Sequence, residues 1–67
     1  MDKLKIAKIL AELREQNNKS REQVSVDLHI SYSAISAYET GERIPRDELK
    51  IKIAKYYKKK VEDIFFS

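Results

Sequence analysis

The side chains able to do chemistry gather between Ser20 and Pro45, in SREQVSVDLHISYSAISAYETGERIP, with Arg46 just beyond. They include short hydroxyls (Ser20, Ser31, Ser33, Ser36), two phenols (Tyr32, Tyr38), guanidinium groups (Arg21, Arg43) and a single imidazole (His29). Such a set binds through hydrogen bonds and positive charge; it is poorly equipped to make or break bonds. Ser33 or Ser36 with His29 is the nearest thing to a nucleophile and base, yet His29 falls at the opposite end of a helix turn and no acid is placed to orient it. Cys is absent, and neither a metal-ligand cluster nor a glycine-rich phosphate loop occurs. The expectation is a binding protein, not an enzyme, with no cofactor and no metal.

Recognition needs these groups held on short, well-placed elements, and the surrounding sequence supplies signals for them. One Gly, one Pro, 37% charged residues and apolar residues three and four apart predict an all-α chain. Leu4, Ile6, Ile9, Leu10 and Leu13 set the period of a first helix at about 3 to 17, with Asn17-Asn18 as a left-handed stop. Ser20 followed by Gln23 makes a capping box, so a second helix runs over 21 to 28. Ser31 caps a third helix at about 32 to 40, which Gly41 ends. Pro45 breaks the chain, Asp47 and Glu48 suit the start of a fourth helix reaching about Lys58, and Val61, Ile64 and Phe65 mark a closing turn.

The second and third helices are short because their job is to meet. Only His29 and Ile30 separate Leu28 from the Ser31 cap, so the helices cross steeply, and Ile30 can plug the corner. With the second helix across a phosphate backbone, the third projects its outward residues into a major groove. A step of 100° per residue makes those Tyr32, Ser33, Ser36 and Ala37, with Ile35 pointing inward.

Length and composition narrow the partner. The 67 residues predict one domain over 1 to 67, held by helix packing alone since there is no disulfide. No apolar run approaches the roughly 18 residues of a membrane span, and the charged start MDKLKIAKILAELRE is unlike a secretory signal. A soluble, cytoplasmic protein is expected. The formal charge of +3 is compatible with nucleic acid without requiring it. Lys50, Lys52, Lys55, Lys58, Lys59 and Lys60 fill a window without an acid, read as a solvated helix face running into a lysine-rich turn.

The residues Leu13-Arg14, Ser20-Arg21-Glu22, Val24-Ser25, Leu28-His29-Ile30-Ser31, Ile35-Ser36, Tyr38-Glu39, Gly41, Pro45, Ile53-Ala54 and 61 to 65 follow one register. In it the chain resembles the Cro/C1-type (XRE) helix-turn-helix regulators almost end to end. The resemblance implies a five-helix, lambda-repressor-like DNA-binding domain. It also implies a buried ion pair between Arg14 and Glu39, and base contacts from Tyr32, Ser33 and Ala37 with Ser36 beside them. Arg21 stands where the family usually has Gln on a phosphate, and Arg43 and Arg46 flank Pro45 where the family approaches the second phosphate strand. None of the base-facing side chains offers a bidentate contact, so DNA shape is expected to carry part of the specificity.

Three positions depart from the family pattern. His29 replaces a common left-handed Gly, which His tolerates better than branched residues do. Ser25 replaces Ala and brings a hydroxyl that can bond back one turn. Lys60 replaces the Ser or Asn cap of the last helix, which is therefore expected to be frayed or shifted.

The resulting expectation is a sequence-specific regulator of double-stranded DNA, a repressor more readily than an activator. The alternative is a protein-interaction module, an antitoxin or adaptor, on the same fold. Tyr56 and Phe66 fall off the inner stripe, making a C-terminal aromatic edge through which a homodimer on a palindromic operator could form.

Overall fold

Polar caps and left-handed stops cut this chain into its helices, and the computed structural model, which describes residues 2–66, shows where each acts. Among the described residues five helices form and no strand: α1 Lys3–Gln16, α2 Arg21–Leu28, α3 Tyr32–Thr40, α4 Asp47–Tyr56 and α5 Val61–Phe65. Asp2 opens α1 by accepting the N–H groups of Leu4 and Lys5 at 3.0 and 3.2 Å. Asn18, at φ 55°, turns the chain out of it.

The Ser20 hydroxyl accepts the Gln23 N–H at 3.0 Å, but the Gln23 side chain does not reach back to complete the capping box. It donates to Asp27 Oδ1 at 2.7 Å instead, an i,i+4 partner one turn along. His29 closes α2 at φ 55°, ψ 40°, in the left-handed conformation that the sequence required there. Ser25 does not bond back one turn: its hydroxyl donates forward across the corner to the Ile30 carbonyl at 2.5 Å. The corner leaves that carbonyl outside any helix, and the hydroxyl satisfies it. Ser31 then accepts the Ala34 N–H at 3.2 Å and starts α3, which ends at Gly41 with φ 84°.

The fourth helix stops at Tyr56, two residues before Lys58, because Lys58 itself adopts φ 58° and the Lys59 N–H folds back to the Ala54 carbonyl. No side chain caps α5 at Lys60, yet the helix forms over Val61–Phe65. Burial accounts for it, since Ile64 and Phe65 are 1% and 2% exposed, and each such side chain contributes about 1.5–3 kcal/mol. They join Ile6, Leu10 and Leu13 of α1, Val24 and Leu28 of α2, Ile35 and Tyr38 of α3 and Ile53 of α4 in one core, with Ile30 plugging the corner.

One lysine of the basic window is not solvated. Lys50 is buried, its ammonium 3.2 Å from Asp47 Oδ1 and 5.4 Å from the centroid of the Phe66 ring. Its stem lies along apolar surface while its head finds an acid and an aromatic face.

Candidate nucleic-acid interface

The turn between α2 and α3 decides which side chains of α3 reach solvent. Tyr32 and Ser33, in the first turn, are exposed, and Ser36 is half-buried one turn later on the Tyr32 side. Ala37 departs from expectation: it is buried at 7% exposure, not outward. The periodicity placed it correctly around the helix axis but took no account of the chain that returns beside it. After Gly41 the N–H groups of Glu42 and Arg43 both reach the Ala37 carbonyl, wrapping the following segment over this turn.

Beneath the outward face lies a charged cluster that ties three helices together. Arg14 Nε is 3.0 Å from both Glu39 oxygens, and its Nη1 donates to the Lys19 carbonyl at 2.9 Å. The Glu39 side chain is 3% exposed and that of Arg14 is 14% exposed. Arg21 enters the same cluster. Its Nε donates to Glu39 Oε1 at 3.1 Å and its Nη1 to Ser36 Oγ at 3.4 Å, so its guanidinium is drawn over α3. The hydrogen bond that Arg21 donates to Glu39, supported by the nearby Tyr32 hydroxyl, raises the Arg21 pKa above its already high value. The family register paired Arg14 with Glu39, but sequence reasoning assigned Arg21 and Ser36 to separate tasks, a phosphate contact and a base-facing position. Their convergence was signalled only by the i,i+3 spacing of Ser36 and Glu39 on one helix.

A second basic feature flanks the far end of α3. Arg43 lies with its Cζ 5.7 Å from the centroid of the Tyr38 ring, and Arg46 is exposed at the start of α4. Together with Tyr38, Ile44 and Leu49 they line a surface concavity of about 330 Å³. No side chain caps α4 there, which leaves its N-terminal amides without a side-chain acceptor. Two guanidinium groups beside a helix N-terminus suit an anion.

The C-terminal aromatic edge divides. Phe66 is 60% exposed, as its place in the sequence suggested. Tyr56 is half-buried and is not a free edge: its hydroxyl donates to Asp27 Oδ2 at 2.6 Å, and its ring meets Tyr57 edge-on at 5.0 Å. Burial and then this bond push the Tyr56 pKa up to about 12, while the same bond lowers that of Asp27. Burial also raises Tyr57. The Tyr56–Asp27 link spans 29 residues, and nothing in the local pattern announced it.

Among the described residues no cluster of three or more His, Cys, Asp or Glu is placed to hold a metal ion. Nor is any described helix long and apolar enough to cross a membrane. Compared with known proteins, residues 10–64 match a family model described as helix-turn-helix. No curated protein and no solved structure matches the chain.

Proposed function

The chain belongs to the Cro/C1-type helix-turn-helix family of DNA-binding regulators, and on that footing we propose that it reads specific sequences in double-stranded DNA with α3 in the major groove and represses by occupying an operator. The observation that carries the reading is the corner itself. A three-residue connection, with His29 left-handed, crosses α2 over α3 and leaves Tyr32 and Ser33 exposed at the leading turn.

In this reading Tyr32 and Ser33 face base edges, with Ser36 behind them. The Tyr32 hydroxyl and the two serines each form single hydrogen bonds, which suit several bases. Ala37, at 7% exposure, no longer has the surface for the thymine-methyl contact that its family position implies. Arg43 and Arg46 seat the domain on a phosphate strand, where charge and the α4 N-terminus act together.

One copy covers one half-site. The longest extent of the described chain is 25 Å, shorter than the roughly 34 Å between successive faces of a major groove, so a palindrome takes two copies. With the Tyr56 hydroxyl committed to Asp27, pairing falls to Phe66 and its neighbours Ile51, at 53% exposure, and Val61.

Selection of bound sequences from random duplex DNA tests the proposal. A recurring site, palindromic for a dimer, with affinity that falls steeply with salt, supports it. Sequence-blind recovery counts against specific reading. Affinity for a protein partner that ignores salt and is lost in Phe66→Ala identifies the interaction module instead.

A further inference from the structure

We propose that Arg21 reads a base, recognising guanine through its guanidinium edge, and does not serve as a phosphate contact; the inference rests on the DNA-binding reading above. As the first residue of α2, Arg21 stands where a side chain would ordinarily lie along the sugar-phosphate backbone. The structure turns it the other way. Its guanidinium finds its partners on α3: Glu39 Oε1 at 3.1 Å, Ser36 Oγ at 3.4 Å and, beside them, the Tyr32 hydroxyl. Ser36 and Tyr32 are one turn apart on the outward side of α3, so the group anchored to Ser36 lies among the residues that face the bases.

The anchor is well made. Glu39, at 3% side-chain exposure, is too buried to touch DNA and is itself held by Arg14 through both oxygens. The Arg21 side chain keeps 31% exposure, so the cluster holds Nε and Nη1 and leaves the outer end of the group open. A guanidinium has five N–H donors. Nε uses one on Glu39 and Nη1 one on Ser36, with the Tyr32 hydroxyl close by; of the three left, one on Nη1 and one on Nη2 make the terminal fork that matches O6 and N7 of guanine. Fixing the group before DNA arrives reduces the rotamer freedom lost on binding. A move to phosphate has the opposite effect, because it takes from a nearly buried carboxylate one of its two cationic partners. Ser36 gains a defined role as well: accepting from Arg21 leaves its own proton to donate to a base acceptor.

The test compares the wild type, Arg21→Lys and Arg21→Ala in sequence selection from random duplexes, followed by affinities for the preferred site and for the same site with its guanines replaced one at a time. Lysine keeps the charge but lacks the fork, and it carries the comparison if the alanine variant proves unstable. The expected result is one position per half-site where the wild type prefers guanine by roughly tenfold or more, a preference that both variants lose while other positions keep theirs. Weaker binding of all sequences alike, with every base preference intact, overturns the inference and returns Arg21 to a phosphate, leaving DNA binding standing. A wild type without any preference among duplexes overturns both readings.

Discussion

Arg14 and Glu39 meet through a single nitrogen, Nε, that lies 3.0 Å from each carboxylate oxygen and joins α1 to the last turn of α3. The contact matters because the Glu39 side chain is 3% exposed, and a carboxylate so placed needs compensation for lost hydration. Its other partner, Arg21, is 31% exposed and therefore well screened. Arg14→Ala is expected to cost about 3 kcal/mol, toward the lower end for breaking a buried pair since Arg21 remains. Arg21→Ala is expected to cost less than about 1 kcal/mol. Urea melts of both variants check this, and equal midpoints would sink the assignment of Arg14 as the main partner.

The basic concavity beside Tyr38 makes a different prediction, about ions and not about folding. Arg43 and Arg46 are exposed, so their removal leaves the core intact. Arg43→Ala and Arg46→Ala should each reduce the slope of log affinity against log salt by about one, with base preferences unchanged. Titrations at several salt concentrations measure the slope. A variant that weakens binding without altering it is not touching phosphate.

The contrast between these clusters shows what a sequence discloses. The bounds of α2 and α3 were legible because Ser20, Ser31 and Gly41 act on backbone groups within four residues of themselves, and local rules suffice for local partners. The Arg14–Glu39 pair came from family register. Ala37, Ser25, Lys50 and Tyr56 were misplaced for a shared reason: each environment is set by a segment arriving from elsewhere. The chain beyond Gly41 wraps the turn that holds Ala37, the corner offers Ser25 a carbonyl, Phe66 covers Lys50, and Asp27 takes the Tyr56 hydroxyl. The same limit hid the position of Arg21 over α3, since periodicity fixes a residue's angle on its own helix and says nothing of a neighbour's anchor.

The Tyr56–Asp27 bond predicts how stability depends on pH. Burial first and this bond second raise the folded Tyr56 pKa from 10.0 to about 12, so its contribution is complete below pH 10 and is lost as pH rises toward 12. Asp27 is shifted the other way, below 3.8; its contribution is present above that value and disappears as pH falls further. Tyr56→Phe should flatten part of the alkaline loss, with Tyr57, also raised, supplying what remains. It should also diminish the acid-side loss attributable to Asp27. Melting temperatures of the two proteins across both pH ranges provide the check; parallel curves in the alkaline range would mean that the hydroxyl is not held by Asp27.

His29 and Gly41 occupy the same left-handed region at the ends of consecutive helices, φ 55° and 84°, yet only one of them is glycine. A β-carbon in that region costs roughly 1–2 kcal/mol, less for residues such as His that tolerate it, while glycine adds about 0.5–1 kcal/mol of unfolded-chain freedom. His29→Gly is therefore expected to change stability by a small positive amount, up to about 1 kcal/mol, because relief of strain slightly exceeds the added entropy. His29 is exposed, so no packing is lost. Gly41→Ala should destabilise by about 1 kcal/mol, because the strain it introduces outweighs the unfolded-chain freedom it removes. A β-carbon at Gly41 would also stand 2.9 Å from Leu4 Cδ2, but that atom ends a flexible side chain that is 72% exposed and can swing away. The backbone should thus account for most of the loss, and Gly41→Ala should remain destabilising when introduced into Leu4→Ala. Full recovery in that background would show that the contact with Leu4, and not the left-handed conformation, requires glycine at the end of α3.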